Sequence, residues 1–197
     1  MKKRFAVVVL AGGEGSRMGG GKPLRHLGDH TLLEHALQCA TDWSKFVAVS
    51  VRNISQVGDL RRVPVLLDKM DGGPIAGIGA ALRFSRELGL DGVLTIPCDT
   101  PLLPYDLLDR LSDALNTTVG ASVPVSGGET HWSCTLWTGD AGEQLARYLA
   151  GGQSSLKGFA SWVGWREVEW PTHPFDPFLN INSRKDLAAA EWLIKSR

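Results

Sequence analysis

Four short apolar runs, Phe5–Leu10, Lys45–Val51, Pro64–Leu67 and Gly92–Ile96, dominate the first half of the chain, and segments of helical period lie among them. A run of four to seven apolar residues reads as a strand buried on both faces. Thr31–Thr41 reads as a helix: Thr31 and Glu34 make a capping box, and Leu33, Ala36, Leu37 and Ala40 form one apolar face. Ile75–Glu87 is a second helix, with Pro74 in its first turn, where a missing N–H costs nothing. Strand, helix, strand in this order requires a mostly parallel sheet with helices on both faces. The rest reads as helices at Pro104–Leu115, Gly139–Ala150 and Ser183–Ile194, with strands at Val119–Pro124, Ser133–Trp137, Trp165–Glu169 and Phe178–Ile181.

In such sheets ligands bind beyond the carboxyl ends of the strands. The first strand runs directly into "LAGGEGSRMGGGKP", Leu10 to Pro23, in which six of fourteen residues are glycine and Arg17 and Lys22 are cationic. A glycine-rich turn exposes backbone N–H groups that can wrap a phosphate. Two familiar versions fail. The Walker pattern needs glycine where Ser16 stands and a hydroxyl where Pro23 stands. The dinucleotide fingerprint needs glycine where Met18 stands. What remains is a long cationic loop suited to a triphosphate; the alternative is an ordinary surface turn.

A second strand end carries "IPCDTPLLP", Ile96 to Pro104. Pro97 and Pro101 stiffen the backbone around Asp99. A carboxylate held this way suits magnesium, which takes one or two carboxylates together with phosphate oxygens and water; the alternative is a cap on the next helix. Late in the chain, Asn180 and Asn182 flank Ile181, which would put both amides on one face of a strand, either for a ligand or to cap the last helix.

Composition narrows the partners. With 197 residues the chain fits a single domain over 1–197 and buries about 70% of its unfolded surface without staples. Twenty-one basic and twenty-one acidic residues give no net charge, which argues against nucleic acid as the main partner. No stretch reaches the roughly 20 apolar residues of a membrane span. Three widely spaced cysteines, Cys39, Cys98 and Cys134, form no zinc or disulfide pattern and imply a reduced, cytoplasmic protein.

The segments "VVVLAGGEGSRMGGGKPL", "VPVLLD", "GPIAG", "PCDTPLLP" and "NINSRKDL", in this order from Val7 to Leu187, resemble the molybdenum cofactor guanylyltransferase family. The resemblance implies a Rossmann-like three-layer α/β/α sandwich of the nucleotide-diphospho-sugar transferase type. It implies transfer of GMP from GTP to molybdopterin with Mg2+, release of pyrophosphate, and molybdoenzyme apoproteins or cofactor chaperones as further partners. It implies that Leu10, Ala11, Gly12 and Gly13 bind the nucleotide, that Lys22 and Arg17 bind its phosphates, and that Asp68 contacts it. Asp99 matches the magnesium ligand, Asn180 and Asn182 the asparagines at the far end of the site, and Asn53 is the nearest match to an asparagine after the second strand. "LAGG" goes with guanylyl enzymes. Two departures stand out: Gly21 replaces an aspartate before the lysine, and Trp132 follows His131 where the family often has His-Pro.

The implied reaction is an in-line attack of the molybdopterin phosphate on the α-phosphorus. A phosphomonoester is largely ionised at pH 7, so no protein base is needed. None stands out, since the five histidines show no HExxH spacing. The seven tryptophans read as packing residues, with Trp132 as an alternative pterin platform. The rival functions are a CTP- or sugar-phosphate-using nucleotidyltransferase and a non-catalytic GTP or molybdopterin carrier.

Overall fold

The computed structural model describes residues 3–13, 21–60, 63–68 and 73–195. Its elements in chain order are β1 (Phe5–Leu10), a 3-10 turn at Lys22–Leu24, β2 (His26–Leu27), β3 (His30–Thr31), α1 (Leu32–Trp43), β4 (Val47–Val51), a 3-10 turn at Ile54–Gln56, β5 (Val65–Leu67), α2 (Pro74–Glu87) and β6 (Gly92–Pro97). There follow α3 (Leu107–Ala114), β7 (Ala121–Ser126), β8 (Glu129–Thr130), β9 (Thr135–Thr138), α4 (Ala141–Ala150), α5 (Leu156–Val163), β10 (Trp165–Trp170) and α6 (Arg184–Lys195).

The main sheet has the order β10-β7-β9-β6-β1-β4-β5, with β8 paired to β7. β1 pairs in parallel with both β4 and β6, and β4 with β5. β9 runs antiparallel to β6 and β7, while β10 is again parallel to β7. The mostly parallel α/β class expected from the alternation of elements is thus observed, with β9 and the short β8 reversed.

Period-two alternation decides what each face buries. Val7 and Val9 of β1 face one core with α1 (Leu33, Ala36, Ala40) and α3 (Leu107, Leu111). Ala6 and Val8 face the other, with α2 (Ile75, Ile78), α4 (Leu145, Tyr148) and α5 (Phe159). Helices on both faces are why the central strands are mostly apolar, with Ser50 of β4 and Thr95 of β6 as buried exceptions. The Thr31–Glu34 capping box opens α1 as expected. A third, smaller cluster joins Leu27 and Leu32 to Ile181 and Ala190 of α6.

Two expected elements differ. The helix expected from Pro104 begins at Leu107, because Pro104 lies in the preceding loop and its carbonyl accepts the Leu107 N–H at 3.1 Å. The expected strand Phe178–Ile181 is irregular: Pro177 and Phe178 form a turn, and Ile181 donates its N–H to Asp99 O at 2.8 Å without a ladder following. Among the described helices none is long and apolar enough to cross a membrane.

Candidate functional site

From β1 the chain moves through β4 to β5 on one side, then returns to β6 on the other. That reversal opens a crevice at the carboxyl ends of β1 and β6. Backbone bonds continue past the strand ends and hold the crevice walls in register. Ala11 N donates to Ser50 O (2.8 Å), Cys98 N to Leu10 O (3.2 Å) and Asp68 N to Val51 O (2.9 Å).

A cavity of about 210 Å³ lies there. Leu10, Gly12, Gly13, Asp68 and Asp99, all expected from the sequence, line it. Ala11 is fully buried behind it. Lys22 stands beside Asp99: its Nζ lies 2.5 Å from Asp99 Oδ2 and 2.9 Å from Asn182 Oδ1. The first 3-10 turn places that lysine, and Gly21 caps it at φ 63°, in the left-handed region that glycine occupies without strain. The geometry of this turn suits the residue found where the family carries aspartate.

Other expected residues stand elsewhere. Arg17 lies outside the described residues. Asn53 caps the second 3-10 turn, its Oδ1 accepting from Ser55 N (3.0 Å) and Ser55 Oγ (2.9 Å), while the preceding residue, Arg52, lines the cavity. Asn180 is exposed. Trp132 packs edgewise on Trp165, centroids 4.8 Å apart, and it is Ser133 that reaches the cavity wall. Ser50 and Gly77 were missed as site residues. Ser50 is hidden within an apolar strand, whereas Gly77 closes the "GPIAG" segment already singled out.

Among the described residues, three side-chain atoms at this crevice are shielded from solvent and have no hydrogen-bond partner: Ser50 Oγ, Asp68 Oδ1 and Asp99 Oδ1. Buried polar atoms are seldom left unpaired, so their convergence marks a place for a polar ligand. Among the described residues no three His, Cys, Asp or Glu side chains cluster to hold a metal. Asp99 offers one carboxylate to a divalent ion of the kind that draws its other ligands from phosphate and water. Burial pushes the neighbouring Cys98 thiol up to about 12, with Asp99 adding to the effect, so it is no nucleophile.

Burial also raises the Asp68 carboxyl above its usual 3.8, with the Arg52 charge opposing. A raised acid stabilises the fold below its unfolded value and loses that contribution as pH rises through the folded one. Asp68→Asn should therefore raise the thermal midpoint at pH 7, the gain shrinking toward pH 3.8; a midpoint unchanged across that range contradicts this. The glycines set the cavity's width. A Cβ on Gly77 would sit 3.0 Å from Leu10 Cδ2 and 3.3 Å from Ser50 Oγ. Gly77→Ala should lower stability by about 1–3 kcal/mol, the usual cost of overfilling a packed space, as read from the midpoint of denaturant unfolding.

The model of the MobA-like NTP transferase domain matches residues 7–164. A molybdenum cofactor guanylyltransferase of Cereibacter sphaeroides is 37% identical over 198 residues, covering 98% of each chain. The chain belongs to the MobA-like NTP transferase family. Another relative of the same description, from Acidiphilium cryptum, is 38% identical over 193 residues, covering 93% of this chain and 92% of its own. The solved molybdopterin-guanine dinucleotide biosynthesis protein A from Archaeoglobus fulgidus shares the fold, with TM-score 0.77 and 23% identity over 98% of this chain and 100% of the other. The family is the one that the five sequence segments pointed to, and it makes this chain a nucleotidyltransferase.

Proposed function

We infer that this chain transfers the GMP unit of GTP to molybdopterin, forming molybdopterin guanine dinucleotide and pyrophosphate, in the cytoplasm and with Mg2+. The observation that carries this reading is the contact between Lys22 and Asp99 at the mouth of the switch-point cavity. It puts a cation for the triphosphate and a carboxylate for a metal within reach of one ligand. The description of the relatives as molybdenum cofactor guanylyltransferases supports this choice of acceptor and base.

The terminal phosphate of molybdopterin attacks the α-phosphorus of GTP; the new P–O bond forms as the bond to pyrophosphate breaks. Bound magnesium would be held by Asp99 and would offset the negative charge of the phosphates. Lys22 holds the leaving pyrophosphate, with Arg17 of the same loop as a second cation. Leu10–Gly13 and Asp68 surround the nucleoside, and Asn182 steadies Lys22. The protein's work is positioning and electrostatics, the usual case for transfer at phosphorus. Molybdoenzyme apoproteins or cofactor chaperones would receive the product.

The test is incubation with GTP, magnesium and molybdopterin, followed by mass detection of the dinucleotide and assay of pyrophosphate. Dinucleotide from GTP and not CTP supports the reading. Product with CTP or a sugar phosphate instead, or GTP binding without pyrophosphate release, overturns it.

A further inference from the structure

The segment Asp176–Asn182 is irregular, yet it is anchored near both of its ends. Asp176 Oδ1 accepts from Ser126 Oγ at the end of β7 (2.8 Å) and from Phe178 N (2.9 Å). The His131 ring stacks on Phe178, centroids 4.5 Å apart and planes at 14°. Ile181 N donates to Asp99 O, and the next residue, Asn182, accepts from Lys22 Nζ. The chain thus passes from one buried hydroxyl directly to the Lys22–Asp99 pair. Ser126 is only 1% exposed, and neither it, His131 nor Asp176 lines the cavity.

Proton counting orders the cluster. Ser126 has one hydroxyl proton and gives it to Asp176. His131 Nε2, 2.7 Å from Ser126 Oγ, must then carry a proton and donate it. Donation runs from His131 to Ser126 to Asp176. In a nucleophilic triad the histidine lies between serine and acid; here the serine does, with its proton committed to the carboxylate, so the cluster is not a hydrolytic site.

We propose that Asp176, Ser126 and His131 are positioning residues for the transfer: they fix Asp176–Asn182 so that Asn182 holds the Lys22 ammonium against Asp99. This rests on the reading of Lys22 and Asp99 as phosphate- and metal-side groups. Misplacing such groups by about 1 Å can cost on the order of 10²-fold in rate.

The test compares Asp176→Ala with Asp176→Asn, whose amide oxygen still accepts from Ser126 and Phe178. Amide hydrogen exchange over residues 177–183 is measured beside kcat/KM. In Asp176→Ala, exchange at Ile181 should quicken about tenfold, the factor for one hydrogen bond, while β1 and β6 stay as in the parent. Its kcat/KM should fall about 10²-fold, with Asp176→Asn close to the parent in both readouts. Asp176→Ala behaving like the parent, or Asp176→Asn as impaired as the alanine variant, overturns the proposal. So does a ¹⁵N spectrum showing the His131 proton on Nδ1 alone. Should Asp176→Ala not fold, Ser126→Ala takes its place in both measurements, with the same outcomes. Exchange needs no substrate, so failure of the transfer reading would leave the positioning result standing by itself.

Discussion

Lys22→Ala should turn over GTP roughly 10²–10³-fold more slowly than the parent, a loss of about 2.7–4 kcal/mol of transition-state stabilisation. Negative charge gathers on the departing pyrophosphate, and a fixed ammonium is worth most where it need not reorganise. Lys22 is fixed in this sense: its side chain is 12% exposed, and Asp99 and Asn182 bracket its amine. In the free protein the same amine pairs with Asp99; on the proposed reading a bound metal would take that carboxylate while the amine, still held by Asn182, would face the phosphates, an exchange of partners at Asp99. That exchange gives a second expected result. Without Lys22 no cation competes for the Asp99 carboxylate, and magnesium should bind the nucleotide-free variant more tightly than it binds the parent. A titration of magnesium alone reads this. Near-parental turnover by Lys22→Ala would remove the residue from the mechanism. Unchanged magnesium affinity would show that the ion pair does not guard the carboxylate. Lys22→Arg should fall between the two, since a planar guanidinium cannot occupy the position of a compact ammonium.

Much of this was legible before any coordinates, for a local reason. A strand that must be buried on both faces shows as an unbroken apolar run, and a helix start shows as a cap; Phe5–Leu10 and Thr31–Glu34 needed no tertiary information. Asp99 and Lys22 were legible because glycine and proline mark the turns that carry them. Failures came where the meaning of a residue depends on distant chain. Asn180–Asn182 has strand-like alternation, but its partner is a single carbonyl of Asp99, so no ladder forms. Asn53 and Arg52 are neighbours that divide the tasks of capping and cavity wall, and only the turn at Ile54–Gln56 decides which does which. The β7–β8 hairpin was missed although Gly127 and Gly128, at φ 56° and 82°, are the residues a tight turn demands. The helix Leu156–Val163 was missed as well, although Ser155 caps it.

Asp99→Ala should abolish magnesium-dependent transfer, a loss of several kcal/mol and on the order of 10³-fold or more in rate. The argument rests on how the carboxylate is held. The turn that carries it is held at two points: Thr100 Oγ1 donates to Pro97 O at 3.3 Å, and the Asp99 carbonyl accepts from Ile181 N at 2.8 Å. Of its side-chain oxygens, Oδ2 faces Lys22, while Oδ1 is shielded and has no hydrogen-bond partner among the described residues. A shielded, unpaired carboxylate oxygen costs about 1–3 kcal/mol or more, and a fold that keeps one is holding it for a ligand. Both of these bonds survive the alanine change, and removal of the unpaired Oδ1 offsets the lost pairing with Lys22, so the thermal midpoint should stay close to that of the parent and the loss will be chemical. Asp99→Asn sharpens the test. The amide keeps the shape and one acceptor oxygen but not the charge, so it should still accept from Lys22 yet bind magnesium poorly and transfer little. If either variant keeps parental activity at millimolar magnesium, the metal is held elsewhere. A folded Asp99→Asn that binds GTP but releases no pyrophosphate would separate the two tasks of this corner of the sheet, with Lys22 for the triphosphate and Asp99 for the ion that lets it react.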